Sequence, residues 1–355
     1  MNETAASIKS NCSQIEPLDQ SWIATACQRQ LTLTKPPKSL GRLEEIANRL
    51  AAIQQTTTPS VSRKRIYVVA GDHGVTAEGV SAYPREVTAQ MVDNFLSGGA
   101  AINVLARHGE IEVKVVDASV DADLSERAGL IDLKNMRGTA NLARGAAMTR
   151  EEAERLILSG IELAQSAKTE GINLLGIGEM GIGNTTAASA ITAALTAKDP
   201  ALLTDRGTGV DDARLRHKIE VIRQALAINQ PDRFDAMDIL AKVGGAEIAV
   251  MIGLVIGAAA ERIAVVADGF ISTAAAALAV TLCPNSRGVL FVAHRSVEQG
   301  HTALIDFIDI PPLLDLEMRL GEGTGSALAM HIIDASTKLL CEMATFAEAA
   351  VSDKN

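Results

Sequence analysis

Apolar positions along the chain fall into two alternating registers. Short β-branched runs, each ending in small or polar residues, begin at Ile66 (IYVVAGDHG), Ile111 (IEVKVVDASV), Ile172 (INLLGIGEMG), Ile263 (IAVVADGF) and Gly288 (GVLFVAH). Their length and composition predict strands. Between them lie stretches with helical spacing, such as MTREEAERLILSGIELAQSA, where Thr149 followed by Glu152 forms a capping box ahead of an apolar periodicity. Strands that alternate with helices predict an α/β fold with a doubly wound parallel sheet. Ligands of such sheets bind beyond the carboxyl ends of the strands, so the residues that end these runs are where chemistry is expected.

The first sixty residues break this rhythm. Leu43, Ile46, Ala47, Leu50 and Ile53 keep helical spacing up to the polar stretch Thr56 to Ser62, where a domain boundary is expected. The most apolar run, Ile248 to Ala260, ends at Glu261 and Arg262, short of the ~18 residues of a membrane span. It reads as a buried helix. The alanine-rich segment from Ala274 to Ala279 reads as another close-packed helix.

Composition narrows the picture. With 355 residues, one large α/β domain and a smaller appendage are expected, and 47% hydrophobic but only 3% aromatic residues require a core of aliphatic side chains. A net charge of −10 leaves no diffuse basic surface for nucleic acid, so any phosphate must be held locally. The four cysteines, Cys12, Cys27, Cys283 and Cys341, show neither metal-ligand nor disulfide-framework spacing. The N-terminus lacks the apolar segment of a signal peptide, and a cytoplasmic protein is expected.

Three loops can carry chemistry. Gly176-Ile-Gly178-Glu179-Met180-Gly181 fits G-x-G-x-x-G ahead of a helix starting near Asn184-Thr185-Thr186, which taken alone suggests a dinucleotide. A carboxylate inside that turn would repel a pyrophosphate, however, and Asp199 to Gly209 supplies no second strand ending in a ribose-binding acid. The second loop, Gly321 to Gly325, embeds Glu322 between Gly321 and Gly323 before another helix. Glycines permit close approach, and helix N-termini favour anions, so the two loops read either as walls of one pocket or as helix caps. The third, Ala70-Gly71-Asp72-His73-Gly74, reads as a structural Asp–His hydrogen bond, and no metal is assigned. His108, His217, His294, His301 and His331 read as surface or packing residues. Arg214, Arg216 and Lys218 form a cationic cluster on a helix that reads as a solvated face, from which one member could reach a phosphate, and Lys35 to Glu45 (KPPKSLGRLEE) reads as a stiff linker.

Taken in order, KPPKSLGRLE, AGDHGV, YPREVTAQMV, GIGEMGIGNTT, KVGGAEIAVMIG, ADGF and MRLGEGTGSALAM resemble the nicotinate-nucleotide:dimethylbenzimidazole phosphoribosyltransferases, from about Lys35 to the C-terminal helix. The resemblance implies a Rossmann-like large domain, 60–325, and a small helical domain built from 1–59 and 326–355. It also implies a homodimer whose cavity is closed by the neighbour's small domain. By motif, Glu322 would be the general base that takes the proton of a benzimidazole nitrogen, ionised at neutral pH through a depressed or ordinary pKa, and Glu179 the second acid of the pocket. Met180, Gly181, Asn184, Thr185 and Thr186 would hold ribose and phosphate, with Lys218 near the nucleotide. Tyr83, Met91 and Leu320 would surround the aromatic base, with adenine and phenols as alternative acceptors. The implied reaction moves the phosphoribosyl group of nicotinate mononucleotide to that base in cobalamin nucleotide-loop assembly, with no cofactor. Two other readings stand beside it. The glycine motif alone fits an NAD-dependent oxidoreductase, and a pocket without chemistry fits a nucleotide-binding protein, against which the paired acids argue.

Overall fold

The computed structural model describes residues 3–207, 209 and 211–352. Its strands are β1 (Lys64–Gly71), β2 (Ile111–Ser119), β3 (Leu130–Asp132), β4 (Leu174–Met180), β5 (Ala264–Ala267) and β6 (Leu290–Val292). They form one parallel sheet in the order β3-β2-β1-β4-β5-β6, so the expected doubly wound α/β fold is present. Sequence order reverses between β1 and β4, whose carboxyl ends part around a crevice. The five expected strands are all found. The three residues of β3 at the sheet edge were too short a run to stand out from their surroundings.

Helices α1 (Glu3–Ser13), α2 (Gln20–Thr32) and α3 (Arg42–Gln54) precede the sheet, and α4 (Val87–Leu96) and α5 (Ala101–His108) connect β1 to β2. Next come α6 (Arg150–Thr169) before β4, and α7 (Asn184–Thr196), α8 (Asp212–Asn229), α9 (Ala236–Val243) and α10 (Ala246–Ala260) between β4 and β5. The chain closes through α11 (Phe270–Leu282), α12 (Gln299–Ile308) and α13 (Thr324–Glu342). The capping box at Thr149 is formed, with Glu152 N–H donating to Thr149 Oγ1 and Thr149 N–H returning a bond to the Glu152 carboxylate. α10 is buried along nearly its whole length and lies tightly against α6. A Cβ on Gly160 would stand 2.1 Å from Val250 O, and one on Gly253 would stand 2.0 Å from Ile157 O. Among the described residues no helix is long and apolar enough to cross a membrane.

The chain ends meet. Ala26, Ala47, Ala51 and Leu340 form a separate apolar cluster joining α2 and α3 to the far end of α13, and Arg29 donates to the carbonyls of Leu340 and Cys341. Arg42 donates to the carbonyls of Pro311 and Pro312, and Arg49 to those of Arg287 and Gly288, binding α3 to the sheet side. α1 instead lies on α6 and α10. The tract from Lys35 to Glu45 is a folded turn rather than a linker, because the buried Lys35 ammonium donates to Glu44 Oε1 at 2.7 Å and closes it.

Candidate active site

The glycine motif is not a loop. Gly176 and Gly178 lie inside β4, and only Gly181 reaches the turn. The reason is tertiary: a Cβ on Gly178 would stand 2.4 Å from Gly323 N and 2.6 Å from Glu322 O, so the strand is bare there because another backbone rests on it. That removes the structural basis of the dinucleotide reading. The loop resting on β4 runs through Gly321, Glu322 and Gly323 at φ of +83°, +63° and +89°. A glutamate in this left-handed region is strained by about 1–3 kcal/mol, which persists only where the surroundings impose it. Glu322 N–H donates to Glu179 O, while Gly323 N–H and Ser326 N–H donate to the two oxygens of Asp268.

The two sequence-predicted acids are thereby brought to one place. Asn184 Nδ2 donates to Glu179 Oε2, and Glu322 Oε2 accepts from Ile102 N–H at 3.2 Å, near the N-terminus of α5. Glu322 does not have the depressed or ordinary pKa expected of it from sequence; both acids are raised. Burial, with the charges of Asp268 and Glu247 behind it, pushes Glu179 up to about 8 against the opposing Asn184 bond. Burial also raises Glu322, opposed by the Ile102 amide and reinforced by Asp268. Local sequence could not show this, because the four acids involved lie on four separate segments of the chain.

His73 does not pair with Asp72 as expected; its Nε2 shares a 2.8 Å hydrogen bond with Glu247 Oε1, both side chains being fully buried. Burial alone would lower His73, but Glu247, with Asp72 adding, raises it. Glu247 lies in the first turn of α10; its tract, KVGGAEIAVMIG, belongs to the family resemblance, but no role was expected of it.

A cavity of about 560 Å³ opens at the carboxyl end of β4. Of the residues expected there, Glu179, Met180, Gly181, Asn184, Thr185, Tyr83, Leu320 and Gly321 line it. Met91, Thr186, Lys218, Glu322 and Gly323 are not among the residues that line it. Met91 lies on α4 against the core, and Thr186 is buried in α7. Lys218 is 1% exposed and donates to Thr185 Oγ1 at 2.8 Å, while Arg214 and Arg216 face outward, so the cationic cluster resolves into one inward ammonium. Burial lowers Lys218 to about 8 against the opposing charges of Glu298 and Asp205. α7 begins after its N-cap Gly183, which offers no side-chain cap, and the amides of Asn184 and Thr186 donate to the carbonyls of Gly181 and Gly183. The cavity has Glu179 on one side and, on another, Glu298 and Arg319, with the buried Lys218 ammonium behind Glu298.

Sequence reasoning also passed over His294, Glu298 and Asp268. His294, read as packing, lines the cavity with Glu298, and Asp268 lies just behind. The signal available for His294 and Asp268 was position, since each follows directly on a strand run. His301 is a packing residue as read: it bonds Thr273 and Ser296, and burial lowers it to about 3, so it is neutral.

A doubly wound parallel sheet with paired acids and an inward lysine around the crevice at its switch point defines an α/β enzyme with a nucleotide-type site. A phosphoribosyltransferase family model matches residues 15–351. The nicotinate-nucleotide–dimethylbenzimidazole phosphoribosyltransferase of Geobacter metallireducens is 56% identical over 96% of this chain and 96% of its own length. That of Chloroflexus aurantiacus is 52% identical over 98% of this chain and 99% of its own. The crystal structure of CobT from Thermus thermophilus superposes with a TM-score of 0.91 at 47% identity, covering 94% of this chain and 100% of that one. The chain belongs to the nicotinate-nucleotide–dimethylbenzimidazole phosphoribosyltransferase family.

Proposed function

We propose that this enzyme transfers the 5-phosphoribosyl group of nicotinate mononucleotide to 5,6-dimethylbenzimidazole or a related base, releasing nicotinate and α-ribazole 5′-phosphate. The observation that carries the reading is the convergence of Glu179 and the Glu322 loop at the end of β4, beside a cavity lined by Asn184, Thr185 and Arg319.

The donor's nicotinate is a pyridinium and leaves with the bonding electrons of C1′ as the ribose gains oxocarbenium character. One nitrogen of the base forms the new bond from the opposite face, inverting C1′, while the proton on its other nitrogen passes to Glu322. Buried acids that hold protons tightly suit such a substrate. The positive charge of the pyridinium, and then of the oxocarbenium, is what draws those acids into their ionised form. Glu179 is the second acid, and Lys218 with Thr185 faces the phosphate. Met180, Gly181, Asn184 and Thr186 support the ribose and phosphate, and Tyr83, Met91 and Leu320 the base. Orienting two reactants in one pocket is worth as much as ~7–11 kcal/mol, so positioning supplies most of the rate.

The division into 60–325 and a helical unit of 1–59 with 326–355 is part of this reading. The cluster of Ala26, Ala47, Ala51 and Leu340 supports it, while α1, on α6 and α10, sits with the larger unit. We further assign the chain to a homodimer in the cytoplasm. Tyr83 and Leu320, apolar and more than half exposed at the cavity, favour a neighbour closing over them.

The test is a chromatographic and mass-spectrometric product assay with nicotinate mononucleotide and 5,6-dimethylbenzimidazole, with adenine and p-cresol as competing acceptors. An α-ribazole phosphate product is expected, with kcat reduced ~100 to 10,000-fold in Glu322→Gln while the donor still binds by calorimetry. No nicotinate release with any acceptor from folded wild-type protein would sink the reading.

A further inference from the structure

Asp268 takes no direct part in the transfer, yet it touches the machinery on two sides. It follows β5 directly, is 1% exposed, and receives Gly323 N–H on Oδ2 and Ser326 N–H on Oδ1, each at 3.0 Å. Those amides bracket the start of α13, whose N-cap, Gly323, has no side chain to offer. The helix is capped by a carboxylate supplied from another strand. The same stretch holds Glu322 in its left-handed conformation against β4.

We propose that Asp268 is a positioning residue for the transfer, acting through Glu322: by gripping the amides of Gly323 and Ser326 it keeps the Glu322 backbone on β4 and its carboxylate at the N-terminus of α5. This rests on the transferase reading. The geometry calls for a carboxylate. Two N–H donors three residues apart need two acceptor oxygens on one planar group, and a helix N-terminus favours negative charge. An asparagine offers only one acceptor, and its NH₂ would face an N–H.

The charge has a second consequence. The titratable groups around this loop are Glu179 from β4, Asp268 and His294 following β5 and β6, Glu247 from α10, and His73 following β1. Burial raises Asp268 itself, opposed by His294 and by the amides of Ser326, Gly323 and Gly325, and its negative charge in turn raises the proton affinity of both Glu179 and Glu322. Removing that charge lowers both affinities. The acid limb of the kcat/KM profile then moves to lower pH, a change that loss of bracing alone would not produce.

The experiment measures kcat, KM for nicotinate mononucleotide and the pH dependence of kcat/KM for the full-length wild type, Asp268→Asn and Asp268→Glu. Asp268→Asn should lose about 100-fold in kcat, as a misplaced catalytic group does, with little change in KM and an acid limb at lower pH. Asp268→Glu keeps the charge and should return the limb toward the wild-type position without full rate. Wild-type kcat in Asp268→Asn, or a lowered kcat with an unmoved limb, overturns the proposal. Should the asparagine variant fail to melt cooperatively, Asp268→Ser, which keeps one acceptor, takes its place; loss of the fold in both also overturns it, making Asp268 a residue of stability. A wild-type enzyme without turnover is a separate outcome that removes the underlying reading.

Discussion

Glu179 shows what burial does to a single residue. Its carboxyl holds a proton up to about pH 8 because it is desolvated beside other acids, whereas in the unfolded chain it ionises near 4.5. Between those values the folded chain binds the extra proton, so this group's stabilisation is complete below about pH 4.5 and is lost as pH rises toward 8. Thermal denaturation of the ligand-free protein across this range should therefore show stability falling with pH. In Glu179→Gln the slope should flatten; equal slopes in the two proteins would show that Glu179 is ordinarily ionised. At this scale the sequence marked Glu179, Glu322 and Lys218 by motif. It could not mark Glu247 or the pairing of His73, because their partners are 174 positions apart in the chain.

Among the elements, the strands and the capping box were legible because each signal is local: a β-branched run, or two residues three apart. The glycine motif misled for the opposite reason. Gly176 and Gly178 look like turn residues, but their bareness serves packing, as the loop before α13 lies on β4. The same principle governs α6 and α10, where Gly160 and Gly253 bring two backbones into contact. Gly253→Ala should destabilise the protein by ~1–3 kcal/mol, read as a lower urea midpoint, since its Cβ has no room beside Ile157 O. An unchanged midpoint would mean that the two helices can part at no cost.

At the scale of the whole molecule the chain ends return to each other across more than three hundred residues. The single chain also leaves Tyr83 and Leu320 in solvent at the cavity. Light scattering coupled to size exclusion should give the mass of two chains. Tyr83→Asp should weaken that association and raise KM together, if the neighbour covers the cavity; a monomeric wild type would remove the dimer from the account. By itself the sequence determined the fold class and the motif acids, because hydrophobic period and glycine-flanked carboxylates are written in neighbouring residues. Only the tertiary structure decided which protons the acids carry, which lysine turns inward and which carboxylate caps α13. Those properties arise from desolvation and from charges on separate strands, and they exist only once the sheet has brought the strand ends together.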